Sequence, residues 1–498
     1  MNRREFMKLA QMSSFGVLIS PVVINSGSEI KPFSRRTKHI LLTASSHVQA
    51  IFPNDKRTAF GWSTLLLEPG SSLVFKADEK IPVSNLLLRV TVATELRDIK
   101  LLHVTIPGEE IKLGTIDIRY SSVLVPYEIE IDNKYAEAIN RRGLKITLEA
   151  KEMFGIFKKT DHKDHTILFP HILASKEKTG SIKDFLNSFM SVNSIQAFGW
   201  REGTVLDGLW QLYVQKKEKR ALEAIDKHLA LYFDKDGNLK YENSYNQPRD
   251  NKIDGIESTI PYATLVRLYP QHPILKTVIE AWKSYTKPNG MVTDGLTRTA
   301  EGCYTVAYPM SVIGKAWNSD DLKKNAIEQL RHRFVLIDNG ALDLRYNEGK
   351  RTYRNWARGA AWFLLGFART ISELKDEIPS DVIDKFREGI DIVLPLQRSD
   401  GLWNCFMHRG DVLPDTSGSA GISAAILTGI HSGVLSENLK PVVQKCWSGL
   451  QSYIAPDGLL RGVGQDNRGG ENLQASDYRV IAQMGMGMMA QLYAALSH

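Results

Sequence analysis

The residues whose types best suit chemistry gather in one stretch, Asn355 to Ser419, with two acids standing upstream of it. Asn355-Trp-Ala-Arg-Gly-Ala-Ala-Trp362-Phe-Leu-Leu-Gly-Phe367 reads as a helix that is apolar almost all round, so it lies in a core or lines the inside of one. Arg358 falls in its first turn, between Trp356 and Trp362. A planar cation flanked by indoles at a helix N-terminus suits a carboxylate on a flat ring. Ser399-Asp-Gly-Leu-Trp403, His408-Arg-Gly-Asp411 and Asp415-Thr-Ser-Gly-Ser-Ala420 follow. Taken singly, Trp356, Trp362 and Trp403 read as core and Arg358 as a paired structural charge; as a set they read as a rim facing a ligand. Acid chemistry needs a proton donor, which Asp254 (in Lys252-Ile-Asp-Gly-Ile-Glu-Ser-Thr-Ile-Pro261) or Glu301 (in Thr299-Ala-Glu-Gly-Cys-Tyr304) would supply. Both stand where helices begin, a place that also suits a capping carboxylate. Tyr304 reads equally as hydrogen-bond donor or core. His408 lies in a polar loop, and Asp415 and Asp207 are further acids that fit capping and surface roles.

These residues must be held by the elements around them. From Ser181 onward the apolar period is that of helices, and a repeat appears. Helix pairs end in Asp236-Gly237, Asn289-Gly290, Asn339-Gly340, Asp400-Gly401 and Asp457-Gly458, spaced 53, 50, 61 and 57 residues apart. Each glycine suits a left-handed turn after a helix. The pattern predicts inner and outer helices at 201–213 with 217–233, 252–269 with 272–286, 302–317 with 319–336, 356–376 with 379–397, and 415–434 with 437–453. The last helix, 476–496, pairs with the first, 181–198. Six hairpins closing as a ring leave no uncapped end and a funnel on the axis, where Asp254 and Glu301 would meet. Residues 36–158 instead alternate at period two over Arg89–Thr94, Ile111–Leu113, Ile116–Tyr120, Tyr127–Ile131 and Leu144–Leu148, which predicts an antiparallel β-sandwich. The polar segment 159–180 reads as a linker. His162 and His165 with Asp161 and Asp164 fit a solvated charge run better than a metal site.

The order W-A-R-x-x-x-W, D-G-L-W, G-D, D-T-S-G-S-A resembles glycoside hydrolase families 88 and 105, the unsaturated glucuronyl and rhamnogalacturonyl hydrolases. The likeness is best over 355–435, holds as a helix order from 181 onward, and does not cover 1–175. It implies an (α/α)6 toroid that removes a terminal unsaturated uronic acid left by polysaccharide lyases, with Arg358 on the C6 carboxylate and tryptophans against the ring. In those families aspartates open the two corresponding inner helices. Counting helices back from Trp356 places the principal one on Glu301; the local wording Asp254-Gly-Ile…Pro261 places it on Asp254. Two other enzyme readings stay open: a β-glucuronidase on saturated uronosides, as in family 154, and a toroid lyase using Tyr304, His408 and Arg358. A periplasmic sugar-binding protein is the non-enzyme reading, disfavoured because a closed toroid has no hinge.

The 498 residues, 43% hydrophobic and 24% charged, fit a globular chain of two domains. Cys303, Cys405 and Cys446 make neither a disulfide framework nor a zinc pattern, so no cofactor or metal is expected. The net charge of +7 falls to +5 without residues 1–27, since Arg3, Arg4 and Lys8 leave with Glu5. No basic cluster suits nucleic acid; an anionic oligosaccharide is the expected partner, with a homodimer compatible. Asn2-Arg-Arg-Glu-Phe-Met-Lys8 before the apolar Leu9–Val23 resembles a twin-arginine export signal, too short to span a membrane, which implies a periplasmic or secreted protein.

Overall fold

The computed structural model describes residues 37–45, 55–109, 111–159 and 167–496. The predicted export signal and the His162/His165 run lie outside the described residues. Ten strands form the N-terminal part: β1 (Thr37–Ala44), β2 (Thr64–Leu67), β3 (Ser72–Ala77), β4 (Asn85–Thr91), β5 (Ile99–Ile106), β6 (Ile111–Arg119), β7 (Pro126–Ile131), β8 (Leu144–Glu149), β9 (Phe154–Phe157) and β10 (His171–Ser175). A short helix, α1 (Ala136–Arg142), precedes β8. Eight strands make one antiparallel sheet in the order β6-β5-β8-β3-β1-β10-β4-β7, and β2 pairs with β9 separately. The end strands β6 and β7 approach one another, so the sheet curls. Alternation sets the buried face: Leu102, Val104 and Ile106 of β5 point inward while Leu101, His103 and Thr105 are half exposed.

Two sequence expectations change here. The segments Ile111–Leu113 and Ile116–Tyr120 are one strand, β6, whose pairing with β5 absorbs an irregularity at Val104/Thr105. The predicted linker 159–180 supplies β10, a central strand bonded to β1 on one side and β4 on the other. All five of its residues are buried, so it carries no alternation by which a strand could be read.

The helical part comprises α2 (Ile182–Phe189), α3 (Trp200–Lys216), α4 (Lys219–Tyr232), α5 (Pro261–Leu268), α6 (Ile274–Tyr285), α7 (Tyr308–Ala316), α8 (Asp320–Arg331), α9 (Ala357–Leu374), α10 (Ser380–Val393), α11 (Thr416–His431), α12 (Lys440–Gln451), α13 (Gly470–Ala475) and α14 (Gln483–Ala495). Packing runs α3–α5–α7–α9–α11–α14, and α14 returns to α3. Almost every residue of α9 and α11 is buried, whereas α4, α8, α10 and α12 bury one stripe each. Of the predicted inner helices 252–269 and 302–317, the first is shorter than the pattern implied and the second runs over 301–316. The first becomes a single tight turn, Ile256–Thr259, before Pro261 opens α5. The second opens with a π-helical turn, Cys303–Ala307.

The Asx-Gly repeat is visible in the backbone. All five glycines have positive φ, between 67° and 89°. In four of the repeats the same pair of bonds closes the turn, as in Ala455 N–H to Leu459 O (2.7 Å) and Gly458 N–H to Ala455 O (2.8 Å). Gly458 is required twice over, since a β-carbon there would stand 2.1 Å from the Asp184 carbonyl oxygen.

The neighbouring Asp457 joins the two parts of the chain. Its carboxylate is wholly buried and accepts hydrogen bonds from Arg89 of β4 and from His39 of β1, the latter at 3.2 Å. Arg89 also grips Glu128 (2.6 Å), and Arg461 grips the other Glu128 oxygen (2.7 Å). Burial by itself would raise the Asp457 pKa, but Arg89 and His39 overcome it and hold the carboxyl well below its usual range. Removing one partner of such a pair leaves the other charge buried alone. Asp457→Ala is therefore expected to destabilise the protein by roughly 3–5 kcal/mol, read from the denaturant midpoint. Because the folded pKa is depressed, this contribution is present above the unfolded carboxylate value of about 3.9 and fades as pH falls below it. The wild type should lose more stability below pH 4 than the variant does.

Candidate active site

Four inner-helix entrances and one loop converge on a pair of connected cavities. The inner one, about 60 Å³, is lined by Trp200, Glu257, Glu301, Trp356, Arg358 and Trp362, among others. The outer one, about 120 Å³, shares Trp200, Arg201, Glu257 and Arg468 with it. Trp200 and Arg201 begin α3, Glu257 lies in the turn before α5, Glu301 in the turn before α7, and Trp356 is the N-cap of α9. The positive ends of α3 and α9 thus face the inner cavity and favour an anion.

Arg358 does more than line the wall. One terminal nitrogen donates to the Gly464 carbonyl and the other to the Gln465 carbonyl, both at 2.5 Å, while the guanidinium lies 4.5 Å from the Trp356 ring centre. It thereby clamps the loop 464–468, which delivers Asp466 and Arg468 to the site. Asp466 accepts from Arg201 and from Ser122 Oγ (2.9 Å). Arg201 in turn lies 4.2 Å over the Trp200 ring.

Three buried polar atoms around the inner cavity have no hydrogen-bond partner: Glu301 Oε2, Thr305 Oγ1 and Arg358 Nε. Native interiors rarely leave such groups unpaired unless a ligand or water meets them. The two carboxyl groups are electrostatically linked. Burial raises the Glu301 pKa against the opposing pull of Arg345 and Arg358. Glu257 opens onto the cavity, yet its enclosure, with the nearby Glu301 charge adding, pushes its pKa up to about 7 against Arg201. Both carboxyl groups are thus held above the usual carboxylate range, and the titration of one depends on the charge of the other. The turn carrying Glu257 is fixed from below: Asp294 accepts the Ile256 N–H (2.8 Å), and Ser258 Oγ donates to the Asp254 carbonyl (2.7 Å).

The structure gathers Glu301, Arg358, Trp356 and Trp362 as expected from the sequence. It does not gather the others. Asp254 opens no helix; it lies in the loop before the Glu257 turn, half exposed in the outer cavity and paired with Arg249 at 3.2 Å. Trp403 is core, its indole N–H donated to the Val393 carbonyl at 2.7 Å. His408 is exposed and lines neither cavity. Tyr304 lies beneath the site, stacked on Trp362 with ring centres 5.7 Å apart and its hydroxyl donated to Asp207 at 2.5 Å. Asp207 is neither cap nor surface residue; it is buried mid-helix, accepting also from Tyr308 at 2.9 Å. Asp415 is the N-cap of α11, accepting the Ser417 N–H at 2.9 Å. Sequence reasoning missed Glu257, Arg201 and Arg468. Glu257 stood three residues after Asp254 in the same motif, and Trp200-Arg201 repeats the tryptophan-arginine pairing of the α9 entrance.

Residues 343–496 match the family model described as Glycosyl Hydrolase Family 88. An unsaturated 3S-rhamnoglycuronyl hydrolase of Alteromonas sp. strain LOR is 26% identical over 145 residues, covering 28% of this chain and 35% of that protein. An unsaturated rhamnogalacturonyl hydrolase of Bacillus subtilis is 22% identical over 187 residues, covering 35% of this chain and 53% of that one. The matches thus span a third to a half of these relatives' length. Among solved structures, a possible family 105 member from Salmonella enterica serovar Paratyphi A superposes with a TM-score of 0.53 at 17% identity, covering 64% of this chain and 84% of the other. A family 105 glycoside hydrolase from C. acetobutylicum gives 0.52 at 19%, covering 63% and 98%.

Arg358→Ala removes donors from two buried carbonyls, each hydrogen bond from a charged group contributing roughly 1.5–3 kcal/mol. The variant is expected to melt earlier than the parent, and Arg358→Lys, with no fork, to recover only part of the loss. Unchanged melting of the alanine variant by calorimetry would show that the loop is held otherwise. Residues 343–496, which include the tryptophan-rich helix with its buried arginine, are similar to glycoside hydrolase family 88.

Proposed function

We propose that this chain is a glycoside hydrolase that removes a terminal 4,5-unsaturated uronyl residue from lyase-generated oligosaccharides. The supporting observation is the set of three orphaned buried atoms, an acid, a hydroxyl and a cation, around a cavity that also holds a second carboxyl. An unsaturated uronate presents a carboxylate, ring hydroxyls and a flat vinyl-ether edge, which complement those groups in kind. The similarity of residues 343–496 to family 88, and the hydrolase names of the relatives, support the same reading. The cycle of inner helices is read as an (α/α)6 toroid and the curled sheet with its β2–β9 pair as a β-sandwich, and Arg3-Arg4 as marking the protein for export.

In this reading Arg358 and Arg201 hold the uronate, with Trp356 and Trp362 along the ring. Glu257, whose proton is retained to about pH 7, donates it to C4 of the C4=C5 bond. Glu301 takes a proton from a water that bonds to C5. Water is thereby added across the double bond and both carboxyl groups return to their starting state once they exchange a proton. The hemiketal at C5 opens, and the aglycone leaves from C1 as an alcohol. The lyase alternative loses its cluster, because the Tyr304 hydroxyl is engaged on Asp207 and His408 lies outside both cavities.

Absorbance separates the readings. The substrate absorbs in the near-ultraviolet through its conjugated double bond, so a hydrolase of this type makes the signal fall. A lyase makes it rise on intact polymer, and a β-glucuronidase releases free glucuronate with no change. We expect the fall, and a loss of at least about 100-fold in kcat for both Glu257→Gln and Glu301→Gln. Activity should decline as pH rises through 7, when Glu257 loses its proton. Full turnover in both amide variants would remove these two residues from the mechanism.

A further inference from the structure

The outer cavity is built from both parts of the chain. Phe60, Glu95 and Ser122–Leu124 come from the β-rich part, and Phe198, Tyr241, Glu242 and Asp254 from the helical part. Phe60 is the unusual member. It sits in a single turn with φ 58° and ψ 10°, a conformation a phenylalanine rarely adopts, and is held there by packing on Trp62 (ring centres 4.8 Å) and edge-on to Tyr232 (5.1 Å). The ring is half-buried and lines the cavity. Phe198 and Tyr241 form a second aromatic pair in the wall, 4.9 Å apart. Between the aromatics stand carboxylates. Glu242 is bonded to Arg57 and Asp254 to Arg249, and neither of these arginines lines the cavity, whereas Glu95 is bonded to Arg468, which does. The cationic residues of the wall, Arg201 and Arg468, lie where the two cavities meet.

We propose that the outer cavity seats the sugar attached to the unsaturated uronate, and that the β-rich part selects a neutral, unsulfated ring there. This rests on the hydrolase reading above, which places the uronate in the inner cavity. Carboxylates only accept hydrogen bonds, so they suit a ring rich in hydroxyl donors. A sulfate or second uronate at that position would meet like charge. Phe60 presents its face to the apolar side of such a ring, and the strain in its backbone is the cost of aiming it there. The β-rich part is thereby a determinant of aglycone choice in addition to a brace.

Two measurements on the full-length protein test this. The first compares kcat/KM, by near-ultraviolet loss, for one unsaturated uronate carried on methyl, on a neutral hexose and on the same hexose sulfated. The wild type should favour the neutral hexose over the sulfated one, and Phe60→Ala should lower the ratio of hexose to methyl substrate by roughly 3- to 10-fold, the range for one aromatic contact. The second, independent of turnover, follows NMR line broadening of a neutral methyl hexopyranoside with the wild type and with Phe60→Ala. Broadening that is lost in the variant supports the site. Equal broadening in both proteins, or preference for the sulfated substrate, overturns it. If no unsaturated substrate is consumed while Phe60-dependent broadening persists, the reaction assignment fails and the sugar-binding chamber stands.

Discussion

Everything in the helical part depends on α14 reaching α3 closely enough to complete the cycle of inner helices. The contact is made by glycine on both sides. A β-carbon on Gly208 would stand 2.6 Å from the Gly487 carbonyl oxygen, and one on Gly487 would stand 2.4 Å from that of Thr204. The next seams use the same device: Gly418 of α11 lies against Ala357 of α9, and Gly421 against Ala361. Small residues let backbones approach, and interiors packed at crystal density do not tolerate an added methyl without displacement. With the seams this tight, the entrances of α3 and α9 and the turns before α5 and α7 are brought to one place, and Arg201, Glu257, Glu301 and Arg358 face a common space.

Beneath that space the axis is polar. Asp207 accepts from Tyr304 and Tyr308, Gln491 donates to Tyr304 at 3.0 Å, and Arg369 donates to Gln491 at 2.7 Å. A network of this sort stabilises only when every member is satisfied, and it then fixes one arrangement of the helices that contribute to it. Trp362 rests on Tyr304, so the floor of the inner cavity inherits that rigidity. The orphaned atoms lie one layer above, where a ligand would be needed to complete them. The contrast between the bonded floor and the three unpaired atoms of the wall marks the boundary between structure and site.

The junction between the two parts follows the same economy. Asp457 belongs to the Asx-Gly repeat, yet its side chain leaves the turn to meet Arg89 and His39 of the sheet. Close by, Gln465 donates to the Arg119 carbonyl (2.6 Å), and Ser122 donates to Asp466. The loop that Arg358 clamps from the helical side is therefore clamped from the sheet as well. Two independent anchors on one short, largely buried loop explain how it can carry Asp466 and Arg468 into a site without being a regular element.

Much of this was legible in the sequence. The five Asx-Gly pairs gave the period of the helix hairpins because a left-handed turn is a local requirement that one residue type meets best. Arg358 between two tryptophans was legible as a site because a charge inside an apolar helix needs a partner wherever it lies. Glu301 was legible because it opens such a helix. Tertiary structure decided the rest. Trp403 and Trp362 look alike in sequence, and only packing sends one to the core and the other to the cavity. Asp254 and Glu257 stand three residues apart, and the local wording of the motif points to Asp254. The structure gives the inner cavity to Glu257 because Pro261 delays the helix and turns the residues before it. β10 was hidden for a related reason: a strand buried on both faces shows no alternation, and its place between β1 and β4 is set by partners more than seventy residues away in the chain. Sequence fixes what a residue needs locally; which neighbour satisfies that need is a long-range matter, and the chemistry of this site lies in those neighbours.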